Sequence, residues 1–151
     1  MTQLSPHFTV EEFCASQTAG RLGIDNDLPL ELYETAKRTA EGLEQVRLRL
    51  RSNPIHISSG YRCLALNAAV GSKNTSQHVK AEAVDFTCPT FGSVNQVIEA
   101  IIDSDIKYSQ LLSEFVGPDG SGGWCHISFD GSNKRQALII DKTGTRPWSK
   151  K

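Results

Sequence analysis

The chain of 151 residues lacks long apolar runs and a clear excess of either charge. No run of about 18 apolar residues occurs, which excludes an ordinary membrane-spanning helix. With 16 Lys and Arg against 17 Asp and Glu the formal net charge is −1. This balance argues against a general nucleic-acid binder, because phosphate neutralisation requires clustered basic residues. The opening MTQLSPHFTVEEF lacks the basic and then apolar pattern of a signal peptide, so we expect synthesis in the cytosol.

Cysteine is also sparse, and its spacing excludes a zinc ribbon or a C-x-x-C redox site. The four residues are Cys14, Cys63, Cys88 and Cys125, which we expect to be free thiols in a reducing cytosol. Hydrophobic residues make up 38% of the chain, an ordinary value for a globular protein. A core of this size needs no metal to hold it together. We expect a monomer with one domain, 1–151, in which 143–151 is a frayed tail.

Hydrophobic periodicity places helices first and strands later. Thr9 followed by Glu12 is typical of a capping box, and the apolar spacing after Pro29 predicts a helix of about twenty residues. Residues 20–27 are expected to form a polar loop. Further helices are predicted at 62–70 and 91–104, and strands at 55–58, 83–86, 108–116, 124–129 and 136–141. The fold class is therefore α+β, with N-terminal helices packed on a small, mainly antiparallel sheet.

Three residues with metal-ligating side chains stand at informative places in this pattern: His78, Asp85 and His126. Strand alternation directs Val84 and Phe86 into the core and leaves Asp85 on the opposite face. His126 occupies the equivalent position on a later strand, so the two side chains converge if these strands are neighbours. Two imidazoles and one carboxylate leave an open coordination position, as in catalytic zinc sites. The same ligand types suit a non-haem Fe(II) oxygenase.

Six separated motifs resemble one enzyme family in their order and residues. They are Ser59-Gly60-Tyr61-Arg62-Cys63, Leu66-Asn67, Val70-Gly71-Ser72, Ser76-Gln77-His78, Ala83-Val84-Asp85 and Trp124-Cys125-His126-Ile127-Ser128. Together they resemble the zinc D-Ala-D-Ala carboxypeptidases, the M15 peptidases. The opening Leu4–Phe13 and the segment Gly23–Asn26 are similar to the subgroup common in bacteriophages and prophages. The resemblance covers about residues 4 to 130, and it implies a zinc site carried by the sheet.

The resemblance implies a role for each matched residue. His78, Asp85 and His126 would bind one Zn²⁺ per chain, Arg62 would steady a carbonyl or carboxylate of the substrate, and Ser76 would hydrogen-bond the peptide. The implied activity is zinc-dependent hydrolysis of the peptide part of bacterial peptidoglycan. The bond would be that of a D-Ala-D-Ala carboxypeptidase or of an L-Ala-D-Glu-type endopeptidase. The implied partner is the stem peptide, with neither nucleic acid nor membrane.

Two positions depart from the family pattern. Ala81 stands where relatives have glycine, which is tolerable if its φ is negative and costly otherwise. Gly123 stands three residues before His126, where many relatives carry the catalytic glutamate. If the hairpin loop centres near Asp119–Gly120, Glu114 lies opposite His126 and can replace that base. Asp119 is a less constrained alternative.

The missing glutamate also leaves a rival of another class. A non-catalytic peptidoglycan-binding or virion structural module would keep the fold and lose the base. Zinc-dependent hydrolysis of peptidoglycan distinguishes the enzyme from such a module, and dependence on O₂ and a 2-oxo acid would indicate the oxygenase. As no signal peptide is recognised, the resemblance implies that the enzyme reaches the wall after holin-type release, after lysis or as part of a virion.

Overall fold

A computed structural model describes residues 2–149. Its helices are α1 (Val10–Cys14), α2 (Gln17–Leu22), a 3₁₀ turn (Leu30–Leu32), α3 (Tyr33–Arg49), α4 (Leu64–Ala69) and α5 (Val94–Ile102). Its strands are β1 (Gln3–Ser5), β2 (Phe8–Thr9), β3 (His56–Ser59), β4 (Ala83–Thr87), β5 (Gln110–Glu114), β6 (Trp124–Ser128), β7 (Gln136–Asp141) and β8 (Gly144–Pro147). The predicted α+β class is confirmed.

The strands form two sheets of unequal size. β1 and β2 pair as a small hairpin, and the other strands form a six-stranded sheet in the order β3-β4-β6-β5-β7-β8. Neighbours are antiparallel except for β5 and β7, which run parallel. The predicted, mainly antiparallel sheet is therefore confirmed. The parallel pair arises because the chain leaves β6 and returns on the far side of β5.

The predicted start of the first helix agrees with the structure, because its capping groups are local. The helices predicted from residues 62 and 91 begin later, at Leu64 and Val94. Thr9 accepts a hydrogen bond from the Glu12 backbone N–H while the Glu12 side chain accepts one from the Thr9 backbone, a complete capping box. Ser93 and Gln96 form the same arrangement at the start of α5. The long helix predicted after Pro29 begins with the 3₁₀ turn and continues as α3.

The core lies between the helices and one face of the large sheet. Val84 and Phe86 of β4, with Cys125 and Ile127 of β6, are fully buried on that face. The apolar sides of α3 and α5 belong to the same hydrophobic cluster. This confirms the predicted alternation and leaves Asp85 and His126 together on the opposite face.

Two local predictions need correction. Helix α2 occupies part of the expected 20–27 loop, because Ser16 caps its N-terminus and Gly23 ends it with a φ of +67°. The tail expected to fray at 143–151 includes strand β8, which pairs with β7. The Trp148 backbone N–H donates to the Ala137 carbonyl, and the indole packs against the core. The expected tail is therefore ordered through Trp148.

The four cysteines have free thiols, as the sequence predicts. Among residues 2–149, no helix combines the length and apolar character needed to cross a membrane.

Candidate metal centre and active site

His78, Asp85 and His126 come together on the polar face of the large sheet. β4 and β6 are neighbours, and Asp85 lies directly opposite His126 in their register. The Oδ1 atom of Asp85 is 2.9 Å from Nδ1 of His126 and 3.2 Å from Nε2 of His78. One donor atom from each residue lies within 4.8 Å of the others. The predicted convergence of the three side chains is therefore present in the tertiary structure.

The orientation of His78 depends on a backbone carbonyl. Its Nδ1 lies 2.7 Å from the carbonyl oxygen of Gly60, which can only accept, so Nδ1 carries the proton of the neutral ring. Nε2 is then the ring atom left to bind a metal. Gly60 is required here because an added Cβ would lie 2.6 Å from the Phe13 carbonyl oxygen. A hydrogen bond from the Tyr61 N–H to that same oxygen fixes the approach of the two segments.

The turn that joins His78 to β4 contains a strained residue. Ala81 has a φ of +59°, a left-handed conformation that strains any residue with a Cβ. The negative φ at which alanine could replace glycine without strain is therefore absent. The Ala81 carbonyl accepts a buried hydrogen bond of 2.7 Å from Oγ1 of Thr39 on α3. Arg38 donates to the Glu82 carboxylate and to the Phe129 carbonyl, which joins the turn to the end of β6. Helix α3 therefore holds the turn that spaces His78 from Asp85.

The charges at this centre favour an ionised aspartate. Burial raises the pKa of Asp85, but its close contacts with the His126 and His78 rings outweigh burial and hold the pKa well below its usual range. An ionised carboxylate and two imidazoles are ligand types that zinc accepts. Their donor atoms are buried or nearly so, and together they provide three ligands. The donor set therefore fits a zinc ion with one position left for water or substrate.

Glu114 lies on the same face of the sheet as His126, but its register differs from the prediction. It pairs with Trp124, and Leu112 is the residue opposite His126. The loop spans Phe115 to Gly123 and centres near Asp119, so the strands are displaced by two residues from the expected register. A shift of two keeps the face, because side chains alternate with period two. Glu114 is therefore diagonal to His126.

The surroundings of Glu114 suit a carboxyl group that exchanges protons. Burial and the nearby Asp85 raise the pKa of Glu114, against smaller opposing effects of His126 and of a hydrogen bond from Trp124. That bond runs from the indole Nε1 to Oε2 and measures 2.7 Å. Asp119 is instead exposed in the turn, where its Oδ1 accepts hydrogen bonds from the Ser121 backbone and hydroxyl. Of the two carboxylates considered, Glu114 is the one beside the centre.

The backbone around Gly123 explains why this position has no side chain. Its φ is +74°, and an added Cβ would lie 2.5 Å from the Glu114 carbonyl oxygen and 2.7 Å from the Val116 nitrogen. A glutamate at this position would require the loop to move. The absence of a carboxylate at 123 is therefore a property of this loop conformation.

Arg62 and Ser76 lie beside the three candidate ligands. Nη2 of Arg62 donates to Oγ of Ser76 at 3.3 Å, and the same oxygen accepts the His78 backbone N–H at 3.2 Å. Burial lowers the pKa of Arg62, although the charges of Asp85 and Glu114 oppose the shift. Its Nε is buried without a hydrogen-bond partner among residues 2–149. Arg62 therefore keeps a buried donor without an acceptor next to the candidate ligands.

Sequence reasoning missed two supports of the site. One is Thr39, which resembles any other small residue on the buried face of a helix. The other is Asp130, whose Oδ2 accepts hydrogen bonds from Gln77 and Ser109 and so joins the His78 turn to the end of β6. These hydrogen bonds join residues that are 53 and 21 positions apart in the chain, so no local sequence motif predicts them.

A comparison with known families agrees with this arrangement. The family model described as Peptidase M15 matches residues 6–116, and the chain therefore belongs to this peptidase family. Membership supports a hydrolase activity. The matched region contains His78, Asp85 and Glu114 but ends before His126, whose place at the centre rests on the β4–β6 register. No curated protein gave a significant match to the chain.

Proposed function

We propose that this chain is a zinc-dependent peptidase that hydrolyses the peptide part of bacterial peptidoglycan. The observation that carries the proposal is the cluster of three donor atoms within 4.8 Å in a chain of the peptidase M15 family. Glu114 on the same sheet face supplies a carboxylate suited to general base catalysis. The bond is that of a D-Ala-D-Ala carboxypeptidase or an L-Ala-D-Glu-type endopeptidase, which product analysis distinguishes.

His78, Asp85 and His126 are the residues that would hold one zinc ion. When bound, zinc supplies Lewis acidity, which polarises a peptide carbonyl and makes water more acidic. The hydrogen bond from His78 to the Gly60 carbonyl orients the first imidazole, and Asp85 lies between the two rings. These contacts support a site that is arranged before the metal enters.

Glu114 takes the proton of the attacking water and returns it to the leaving amine. A raised pKa favours this exchange, because an efficient base titrates near the working pH. The Trp124 indole fixes one carboxylate oxygen, which leaves the other available for the proton.

Arg62 and Ser76 hold the substrate peptide. Arg62 donates from its guanidinium to a substrate carbonyl or carboxylate, and this cation beside Asp85 and Glu114 stabilises negative charge that develops there. The Ser76 hydroxyl lies between Arg62 and the His78 backbone, so it fixes the distance between substrate and metal ligands.

Elemental analysis tests the metal part of the proposal. We expect about one zinc per chain in the purified protein, and loss of zinc and of activity together in His78→Ala, Asp85→Ala and His126→Ala. His56→Ala is a matched control, because His56 is an exposed histidine on a neighbouring strand. Circular dichroism should show that all four variants remain folded, since the core does not include the metal. A wild-type protein that neither contains nor takes up zinc would contradict the proposal.

Mass spectrometry of digested peptidoglycan tests the reaction. Release of D-alanine indicates the carboxypeptidase, and cleavage within the stem indicates the endopeptidase. Both activities should disappear with chelator and return with zinc. Binding of peptidoglycan without hydrolysis would indicate the non-catalytic module instead. On this proposal the protein meets its substrate after holin-type release, after lysis or as part of a virion.

A further inference from the structure

One aromatic side chain is exposed beside the proposed base. Phe115 follows Glu114 at the end of β5 and is 49% exposed. The other aromatic side chains of residues 2–149 are buried or half-buried. Single exposed apolar side chains are ordinary on protein surfaces, so exposure alone does not identify a binding surface. The way in which the backbone holds this ring is more informative.

The backbone turns Phe115 away from the core. Its φ is +57°, a conformation that residues with a side chain rarely adopt. In a regular strand Phe115 would follow the buried Leu111 and Ser113 to the core face, but Val116 packs against the core in its place. The Phe115 N–H still donates to the Ile140 carbonyl at 2.8 Å, so pairing with β7 continues through the change of face. Strained residues of this kind cluster at functional sites.

The Phe115 ring packs against Trp124 of β6. The ring centroids are 5.4 Å apart and the planes are tilted by 34°. Trp124 lies two residues before His126 on the same face of the sheet, and its indole donates to the Glu114 carboxylate at 2.7 Å. The aromatic pair of Phe115 and Trp124 is therefore continuous with the candidate metal centre.

Gly123 makes room for this arrangement. A Cβ at this position would meet the Glu114 carbonyl oxygen and the Val116 nitrogen, which belong to the two peptide groups that flank Phe115. The absent side chain at 123 and the outward ring at 115 are thus two parts of one loop conformation. The family position that many relatives fill with glutamate is vacated, and an aromatic surface lies beside the base.

An aromatic face bordered by polar groups suits a sugar ring. The C–H bonds on one side of a pyranose carry partial positive charge, which the electron-rich face of an aromatic ring attracts. The hydroxyl groups of a sugar need hydrogen-bonding partners, and the loop that follows Phe115 carries the exposed polar side chains of Asp119 and Ser121. Peptidoglycan contains such rings, because its stem peptide is attached through the first alanine to an amino sugar of the glycan strand.

We propose that the aromatic pair of Phe115 and Trp124 stacks against a sugar ring of the glycan strand while the attached peptide lies at the metal centre. This inference rests on the proposed function and adds a carbohydrate-binding surface to it. Because Trp124 donates directly to the proposed base, the sugar lies within one or two residues of the reacting bond, at about 3.3–3.6 Å per extended residue. The cleaved bond is then close to the glycan, as the L-Ala-D-Glu bond is.

Two matched substrates of the zinc-loaded full chain test the proposal. Muramyl dipeptide, N-acetylmuramyl-L-alanyl-D-isoglutamine, carries the sugar, and N-acetyl-L-alanyl-D-isoglutamine has an acetyl group in its place. We expect kcat/KM to be higher by roughly tenfold for the substrate with the sugar. Equal values would overturn the inference, and so would release of D-alanine from intact peptidoglycan with neither dipeptide cleaved. The proposed function would stand in both cases, whereas no hydrolysis of any of the three substrates would overturn both.

Substitutions of Phe115 separate stacking from apolar packing. Phe115→Tyr keeps the aromatic ring and should keep the ratio of the two kcat/KM values. Phe115→Leu keeps apolar bulk without an aromatic face and should bring the ratio to within about twofold of one. Leu48→Ala is the control, because Leu48 is an exposed apolar residue of α3, and its ratio should be that of the wild type. A wild-type ratio in folded, zinc-containing Phe115→Leu would contradict the proposal.

The fluorescence of Trp124 gives a measurement that needs neither catalysis nor a Phe115 variant. The chain has two tryptophans, so Trp148→Phe leaves Trp124 as the single indole. Titration with the peptide-free disaccharide N-acetylglucosaminyl-N-acetylmuramic acid should change its emission saturably. Unchanged emission at concentrations that saturate cleavage of muramyl dipeptide would overturn the inference. A dimer in sedimentation velocity that Phe115→Leu dissociates would also overturn it, by assigning the aromatic pair to a contact between two copies.

Discussion

Two connections border the candidate metal centre, and each contains a residue with a positive φ. The turn from Gln77 to Glu82 carries His78 towards β4, and the loop from Phe115 to Gly123 joins β5 to β6. The first has Ala81 at +59° and the second has Gly123 at +74°. The second connection also has positive φ at Phe115, Gly120 and Gly122. The informative pair is Ala81 and Gly123, the two departures from the family pattern, where similar φ values are occupied by alanine and by glycine.

The difference lies in what surrounds the Cβ position. The methyl group of Ala81 is fully buried in the core, and its carbonyl is held by Thr39. At Gly123 a Cβ would meet the backbone of Glu114 and Val116. Packing and a hydrogen bond can offset an unfavourable φ, whereas contact with backbone atoms cannot be relieved by a rotamer change. The two departures from the family pattern thus have different physical reasons.

The largest effect, on turnover, is expected for Glu114, the residue directly before the second connection. Glu114→Gln should retain zinc while turnover falls by roughly 10²- to 10⁴-fold, because the amide keeps the shape but cannot accept the proton. Adding Gly123→Glu to this variant should not restore turnover, since the new side chain would first displace the loop. Steady-state kinetics and zinc analysis measure both. Wild-type turnover in Glu114→Gln would transfer the role to another group, and loss of zinc would indicate that Glu114 supports the metal.

Two glycines of the second connection separate the effect of steric crowding on the free energy of unfolding from the effect of an unfavourable φ. Gly123→Ala is expected to lower the free energy of unfolding by about 2–4 kcal/mol, through an unfavourable φ and contacts with backbone. Gly122→Ala is the matched control, because its φ is +73° but nothing lies within 4 Å of the added Cβ. It should cost about 1–2 kcal/mol. Urea unfolding in the presence of chelator gives both values, and equal costs would show that the loop relaxes freely.

The hydrogen bond that supports the first connection should have a smaller effect. Thr39→Val keeps the volume but leaves the buried Ala81 carbonyl without its donor, so stability should fall by about 1–3 kcal/mol. Zinc affinity, measured by competition with a chelating dye, should fall as well because the spacing of His78 and Asp85 loosens. Thr39→Ser retains the hydroxyl and should bind zinc like the wild type. If the valine and serine variants bind zinc equally, the hydrogen bond from Thr39 to the Ala81 carbonyl does not position the ligands.

The smallest effect is expected at Ala81 itself. Ala81→Gly relieves the positive φ, worth about 1–2 kcal/mol, but loses a buried methyl group worth about 0.8 kcal/mol and adds freedom to the unfolded chain. The free energy of unfolding should therefore change by less than about 1 kcal/mol. Urea unfolding of the chelated protein measures this difference. A larger loss would mean that the methyl contributes more to packing than its area indicates.

Much of the fold follows from local patterns. The capping box at Thr9, the spacing along α3 and the alternation on β4 and β6 each depend on residues close in the chain, which is why these predictions are confirmed. Helix α2 and strand β8 were missed because their apolar patterns are short. The predicted register of Glu114 against His126 was wrong by two residues. Counting residues from the centre of a loop gives the face of a strand, but the path of the loop sets which residues pair.

The sequence by itself determined the fold class, the faces of β4 and β6 and which three side chains are candidates for the metal centre, because alternation, capping and motifs act over a few residues. The tertiary structure alone decided that β4 lies beside β6, that β7 runs parallel to β5 and that Glu114 sits diagonal to His126. It also decided that Thr39 donates to the Ala81 carbonyl, and that neighbouring backbone leaves no room for a side chain at Gly123. These features depend on contacts between distant segments, whose relative placement is set by packing the whole core.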